Sequence, residues 1–295
     1  MRLHLVDGTF ELFRAHFSKR PGHLAPDGRD LKGSVGLASS LLALLHDPGE
    51  AVTHAAVAFD HPIRSFRNDL FDGYKTEEGM PPELLAQLDD AEEAARALGL
   101  VVWPMAEFEA DDALATAAAR FRGEVEQVRI LTPDKDLGQC LSGAAVVQVD
   151  RVRGRVVDEA ALLAQRGLRP AGVPDFLALV GDVADGIPGL PGFGEKTAAA
   201  LLGAFGHLEG IPRDPAAWPP GVRGADRLTA SLAAGWDDAL LYRRLATLVT
   251  SVPLTQSLED LRWRGLPRAA FAAWCGRVGG VRLLRAEEAR PARWA

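Results

Sequence analysis

The sequence predicts an α/β fold, with a central, mostly parallel sheet flanked by helices and a C-terminal helical subdomain. Short apolar, β-branched runs at 3–6, 54–59, 100–103, 127–131 and 145–149 alternate with helical patterns at 34–46, 83–98 and 109–121. Strand and helix in alternation imply parallel strands joined by crossovers. After about residue 158 the strand signal fades, and helical patterns at 159–166, 174–181, 195–204 and 237–249 take over. The chain has 295 residues, of which 47% are hydrophobic and 25% charged, enough for one large domain or two small ones.

In chain order, the first strand, Leu3-His4-Leu5-Val6, ends on Asp7, and the second, Ala55-Ala56-Val57-Ala58-Phe59, ends on Asp60. The 109–121 helix opens on Glu109-Ala110-Asp111-Asp112, acids that suit the positive end of a helix dipole. The 127–131 strand runs into Asp134-Lys135-Asp136, and the next into Arg151-Val152-Arg153-Gly154-Arg155-Val156-Val157, a hairpin with Gly at its turn. Pro and Gly crowd 186–194 and 211–224; the first reads as a tight structured turn between two helices and the second as a surface loop. The expected division is an α/β core over 1–170, a helical subdomain over 171–255 and an Arg-rich extension over 256–295, with eight Arg against two Glu from Arg262 onward.

Two cysteines, Cys140 and Cys275, are too few for a disulfide framework and match no metal-ligand spacing. With no secretory signal and no membrane-length apolar stretch, a cytoplasmic protein without membrane partners is expected; a monomer is the expectation for a chain whose oligomeric state the sequence does not show. The formal net charge of −7 argues against a polyanionic partner only if the clustered acids stay uncompensated. Residues 76–95 hold seven acids and no Lys or Arg, the pattern of a solvated helix face. Arg outnumbers Lys 28 to 5, yet Lys75, Lys135 and Lys196 all fall inside motifs, where a compact ammonium differs from a planar guanidinium.

The acids carry the chemistry. In parallel sheets ligands bind beyond the carboxyl ends of strands, where Asp7, Asp60, Asp134 and Asp136 fall. Glu109 and Asp112, like Asp182 and Asp185, are spaced i, i+3. Nine carboxylates on one rim repel unless cations hold them. Oxygen-only ligands select Mg2+ or Mn2+, and their number implies two or more ions, the equipment for in-line displacement at phosphorus. Gly192-Phe193-Gly194-Glu195-Lys196-Thr197 lacks the Gly-Lys pair of a P-loop and reads instead as a hairpin whose backbone N–H groups approach a phosphate at a helix N-terminus. A haloacid-dehalogenase-type phosphatase needs a nucleophilic Asp two residues before Asp7, where Leu5 stands.

From about residue 3 to 255 the chain resembles the 5' nuclease superfamily: the 5'-3' exonuclease domain of bacterial DNA polymerase I, phage 5' exonucleases and flap endonucleases. The resemblance rests on Val6-Asp7-Gly8-Thr9, Phe13-Arg14-Ala15, Phe66-Arg67 through Tyr74-Lys75, Glu109 to Thr116, Thr132 to Asp136 and the block from Phe176 to Leu202. It implies a metal-dependent 5'-3' exonuclease or flap endonuclease that cleaves flap, nicked or gapped DNA, with RNA–DNA hybrids left open. Asp7, Asp60, Glu109, Asp111, Asp112, Asp134, Asp136, Asp182 and Asp185 would be metal ligands. Arg67, Tyr74 and Lys75 would belong to a helical arch over about 62–96, Lys75 reaching the scissile phosphate and Tyr74 stacking near the terminal base. Arg14 would contact substrate, and a helix-hairpin-helix around Gly189, Gly192, Gly194, Lys196 and Thr197 would hold the duplex backbone through a K+ ion. The sequence departs from the polymerase-type pattern at Thr76-Glu77-Glu78-Gly79, where an Arg is usual, and at Gly186, where Asn is common. With no polymerase domain following, a stand-alone member is expected, and a DNA-binding homologue with weakened catalysis is the alternative.

Overall fold

The computed structural model describes residues 1–290 and 294. The chain begins with β1 (Arg2–Asp7), α1 (Gly8–His16), α2 (Lys32–His46) and β2 (His54–Asp60). Next come α3 (Pro82–Leu85), α4 (Leu88–Ala97), β3 (Val101–Met105), α5 (Ala110–Phe121), β4 (Gln127–Leu131) and β5 (Val146–Asp150). A short β6 (Arg155–Val157) closes the sheet, and α6 (Glu159–Arg166) follows it. The sheet order is β3-β2-β1-β4-β5-β6, with every neighbouring pair parallel except β5 and β6. The predicted 151–157 hairpin is the β5–β6 turn.

Alternation along the strands sorts the core onto two faces. Ala55, Val57 and Phe59 of β2 join α2 and α4, whereas Ala56 and Ala58 join Leu3, Leu5 and the alanine-rich face of α5. α1 falls outside the predicted helical patterns; its nine residues start directly on Asp7, whose side chain caps it. The single helix predicted at 83–98 is broken, because Gln87 turns inward between α3 and α4. Its Oε1 accepts from the N–H groups of Gly33 and Ser34 at 2.9 and 3.2 Å, supplying the amino-end cap that α2 lacks.

The helical subdomain holds α7 (Val173–Val180), α8 (Glu195–Phe205), α9 (Ala225–Ala234) and α10 (Trp236–Ala246) around a separate apolar cluster. α9 begins one residue after the predicted 211–224 loop and carries no sequence-predicted pattern. Beyond it, α11 (Arg268–Val278) and α12 (Val281–Glu288) bring the chain back to the sheet. Phe271, Trp274, Cys275 and Val278 of α11 enter the same buried cluster as α2 and α4. Among the described residues no helix is long and apolar enough to cross a membrane.

Candidate metal centre

β1 lies between β2 and β4, so the chain leaves the middle of the sheet in opposite directions and a crevice opens at the carboxyl ends. Asp7 stands at its floor, accepting from Phe10 N at 2.8 Å and from Thr132 Oγ1 at 2.9 Å. Asp60, at the end of β2, accepts from Ala110 N at 2.8 Å and so ties that strand to the start of α5. Glu109 immediately precedes α5, and Asp111 lies in its first turn. Asp134 caps the turn Lys135–Cys140 by accepting from Asp136 N at 2.9 Å. From the helical side, Asp182 and Asp185 follow α7, and a pair of hydrogen bonds between Asp182 and Ile187 closes their loop.

One carboxylate oxygen from each of Asp136, Asp182 and Asp185 lies within 4.8 Å of the others. Asp136 Oδ1 is buried with no hydrogen-bond partner. Burial, with Asp60 and Asp134 nearby, pushes the Asp7 carboxyl up to about 7. Burial also raises Asp60, Asp111, Asp136 and Asp185, and Asp134 adds repulsion to the last three of these. A set of oxygen-only ligands that are dehydrated, mutually repelling and partly unpartnered fits hard divalent cations.

Two ammonium groups offset part of this charge. Lys75 Nζ lies 2.8 Å from Glu109 Oε2 and 2.9 Å from Asp185 Oδ1, bridging the α/β and helical sides, and Lys135 Nζ lies 2.8 Å from Asp182 Oδ2. Against burial, which favours the neutral acid, Lys75 and Arg67 hold Glu109 down at about 2. The Lys75 backbone docks too, its N–H donating to Asp185 O at 3.1 Å. Gly186 makes that docking possible. It has φ +73°, and a Cβ there would lie 2.1 Å from Gly73 O.

Three expected site residues are placed differently. Arg67 is 1% exposed, and its guanidinium makes paired 2.7 Å bonds to both Asp112 oxygens. Both groups are consumed by this buried ion pair: Asp112 also accepts from Glu109 N and Val249 N, at 3.0 and 2.8 Å. Asp112 and Arg67 are therefore spent on each other in the wall behind the carboxylate cluster. Tyr74 is 4% exposed within the helical subdomain's core, its hydroxyl donating to Glu109 Oε2 at 3.3 Å, so its ring offers no stacking surface. The expected arch over 62–96 also ends early, because Leu88, Ala91, Ala94 and Ala95 of α4 are buried against the α2 side of the core.

Arg14 is half-buried, held by Glu11 and by Ser40 Oγ at 2.8 Å. Gly189, at φ +70°, lies where a Cβ would fall 2.4 Å from Gly181 N, and this close crossing shapes the hairpin. Gly192 and Gly194 are exposed beyond it, and Lys196 and Thr197 occupy the first turn of α8. Glu77 and Glu78 form no ion pair among the described residues, whereas Glu92 and Glu93 of the same acidic stretch pair with Arg96 and Arg277. Sequence reasoning missed Ser65 and Thr132, whose hydroxyls orient Glu109 and Asp7; a polar side chain one residue past the end of β4 is the signal for Thr132.

A profile of the N-terminal, resolvase-like domain of 5'-3' exonucleases matches residues 2–167, and one of their C-terminal SAM fold matches residues 168–269. The thermostable DNA polymerase I of Thermus thermophilus is 35% identical over 299 residues, covering 98% of this chain and 34% of the polymerase. The chain thus spans about a third or less of the length of the curated relatives it matches. Two solved structures share the fold. The bacteriophage T5 flap endonuclease, in a complex with DNA and metal ions, aligns with TM-score 0.62 at 18% identity over 83% of this chain and 89% of that one. The catalytic core of Rad2 in complex with DNA substrate aligns with TM-score 0.58 at 14% identity, over 94% and 88%. With both of its parts matched in order, this chain belongs to the 5'-3' exonuclease family.

Proposed function

We propose that the chain is a metal-dependent 5'-3' exonuclease and flap endonuclease that hydrolyses DNA phosphodiester bonds from the 5' side, leaving 5'-phosphate and 3'-hydroxyl ends. The observation that carries this reading is the convergence of carboxylates from both subdomains, Asp134 repelling Asp7, Asp111, Asp136 and Asp185, with the buried Asp136 Oδ1 unpartnered. Asp7, Asp60, Glu109 and Asp111 would hold one ion and Asp136, Asp182 and Asp185 another, with Asp134 facing both. Mg2+ or Mn2+ suits these ligands and supplies an activated water and charge stabilisation at the leaving oxygen. Hydrogen bonds from Phe10, Thr132 and Ala110 fix the rotamers of Asp7 and Asp60. Lys75 pairs with a carboxylate on each side of the site, and in this reading it stabilises charge on the reacting phosphate. The glycine hairpin before α8 presents backbone N–H groups to the duplex, with K+ as its expected partner there.

The test is a labelled panel of flap, nicked, gapped, single-stranded and RNA–DNA hybrid substrates, with Mg2+, Mn2+ or chelator. Metal-dependent release from the 5' end is expected, and Asp134→Ala should abolish it while retaining DNA binding. Binding without cleavage by the unaltered protein would instead favour a homologue with weakened catalysis. Cleavage retained by Asp134→Ala would remove that residue from the site.

A further inference from the structure

A cleft in the helical subdomain lies between the turn Leu208–Gly210, with the residues just after it, and one side of α9. Thr229 and Leu232, one helical turn apart on α9, line it, as does Trp236, the first residue of α10. This is not the side of α9 that meets the glycine hairpin. There Ser231 Oγ donates to Pro191 O at 2.9 Å, and a Cβ on Gly192 would lie 3.1 Å from Leu228. The cleft's apolar wall includes the buried Leu208 and Leu232. Trp236 is half-buried against the subdomain's core, and its indole N–H has no partner among the described residues. Two charged groups line the space. Glu209 is spent on Arg243, at 2.6 and 2.8 Å, whereas Arg213 is exposed and forms no ion pair among the described residues. Asp214, next to Arg213, is engaged in accepting from Ala216 N at 2.9 Å. The cleft encloses about 600 Å³ with its mouth included, the size of a small-molecule site. An indole, an apolar wall and one uncompensated guanidinium suit a flat ring that carries an anionic group.

We infer that this cleft binds a free nucleoside 5'-monophosphate, with the base against Trp236 and the phosphate on Arg213. Every base has a π-face, so an indole accepts any of them, and a guanidinium takes a phosphate through two parallel N–H bonds. The choice of a mononucleotide among anionic aromatic molecules rests on the nuclease reading above, because stepwise cleavage from the 5' side releases such nucleotides. Glu209 is the acceptor that could read an exocyclic amine, and Arg243 already occupies it. The site therefore takes the different bases alike.

The experiment titrates tryptophan fluorescence in chelator, without DNA, using deoxyadenosine 5'-monophosphate, deoxyadenosine and inorganic phosphate in separate arms. The monophosphate should quench saturably, with Kd on the order of 0.1–1 mM. The nucleoside and the phosphate should each bind roughly tenfold more weakly. Arg213→Ala should weaken the monophosphate roughly tenfold and leave the nucleoside unchanged, a split that a merely structural role would not give. Trp236→Phe keeps a ring in place, so it should lose the quench yet retain monophosphate binding in equilibrium dialysis. No saturable binding, equal affinity in the Arg213→Ala protein, or a quench that persists in Trp236→Phe overturns the site. Each of these outcomes leaves the nuclease reading intact, since neither metal nor DNA is present. If the substrate panel shows no cleavage while these titrations give the expected split, the nuclease reading fails and the cleft stands.

Discussion

Arg67 donates all five of its N–H groups: two to Asp112, one to Glu109, and one each to the carbonyls of Leu245 and Thr247 at the end of α10. Its neighbour in sequence is the expected arch, but its partners lie about 40 and 180 residues away. A single buried guanidinium thus fixes Glu109 and Asp112 against the helical subdomain. Truncation leaves Asp112 charged and buried, so Arg67→Ala should cost about 3–5 kcal/mol in urea unfolding. Arg67→Lys should recover only part, since an ammonium cannot make the paired contact. A loss under about 1 kcal/mol for Arg67→Ala would show that the pair is not the clamp drawn here. In the sequence, Arg67 could be read only by its place in a motif, and a place in the arch was the natural assignment. Asp112, two residues past a helix start among other acids, was likewise indistinguishable from a ligand.

Among elements, the strands and the carboxylates at their ends were legible because a buried parallel strand needs a continuous apolar run and the ligand position follows from strand direction. Helix ends were less so. α2 is capped by Gln87 from another element, and the helix predicted at 83–98 breaks to provide that cap. The amino edge of the sheet holds its own charge cluster. There Glu50 is bonded by His4 at 3.0 Å and by Arg129. Its hydrogen bond from His4, opposed by burial and helped by Arg129, lowers its pKa from 4.5 to about 2. A carboxyl with a depressed folded pKa stabilises the protein above its unfolded value and loses that contribution as pH falls through the folded one. Urea unfolding at a series of pH values should therefore show a Glu50-dependent loss between pH 4.5 and about 2. The Glu50→Gln protein should be weaker at neutral pH and flatter across that window. Parallel pH profiles for the two proteins would refute the assignment.

For the whole molecule, the Arg-rich extension expected over 256–295 contributes α11 to the core. Trp274 and Phe271 are 1% and 0% exposed in the cluster that contains α2 and α4. Arg264, Arg268 and Arg277 pair with Glu259, Glu288 and Glu93, so they form no free basic face; Arg293 lies outside the described residues. Trp274→Ala should cost about 3–5 kcal/mol, seen as a lower urea midpoint with an unchanged slope. An unaltered midpoint would mean that α11 contributes little to the core.

The sequence by itself determined the parallel sheet, the helical second half and which acids end the strands. Periodicity and motif spacing are local properties, and they survive being read along a line. Only the tertiary structure decided that Arg67, Asp112 and Tyr74 face inward and that Gln87 caps a distant helix. It also decided that α11 completes the first core and that Lys75 spans the two halves of the site. Each depends on which unsatisfied charge or backbone donor another segment brings near, and burial makes that pairing obligatory.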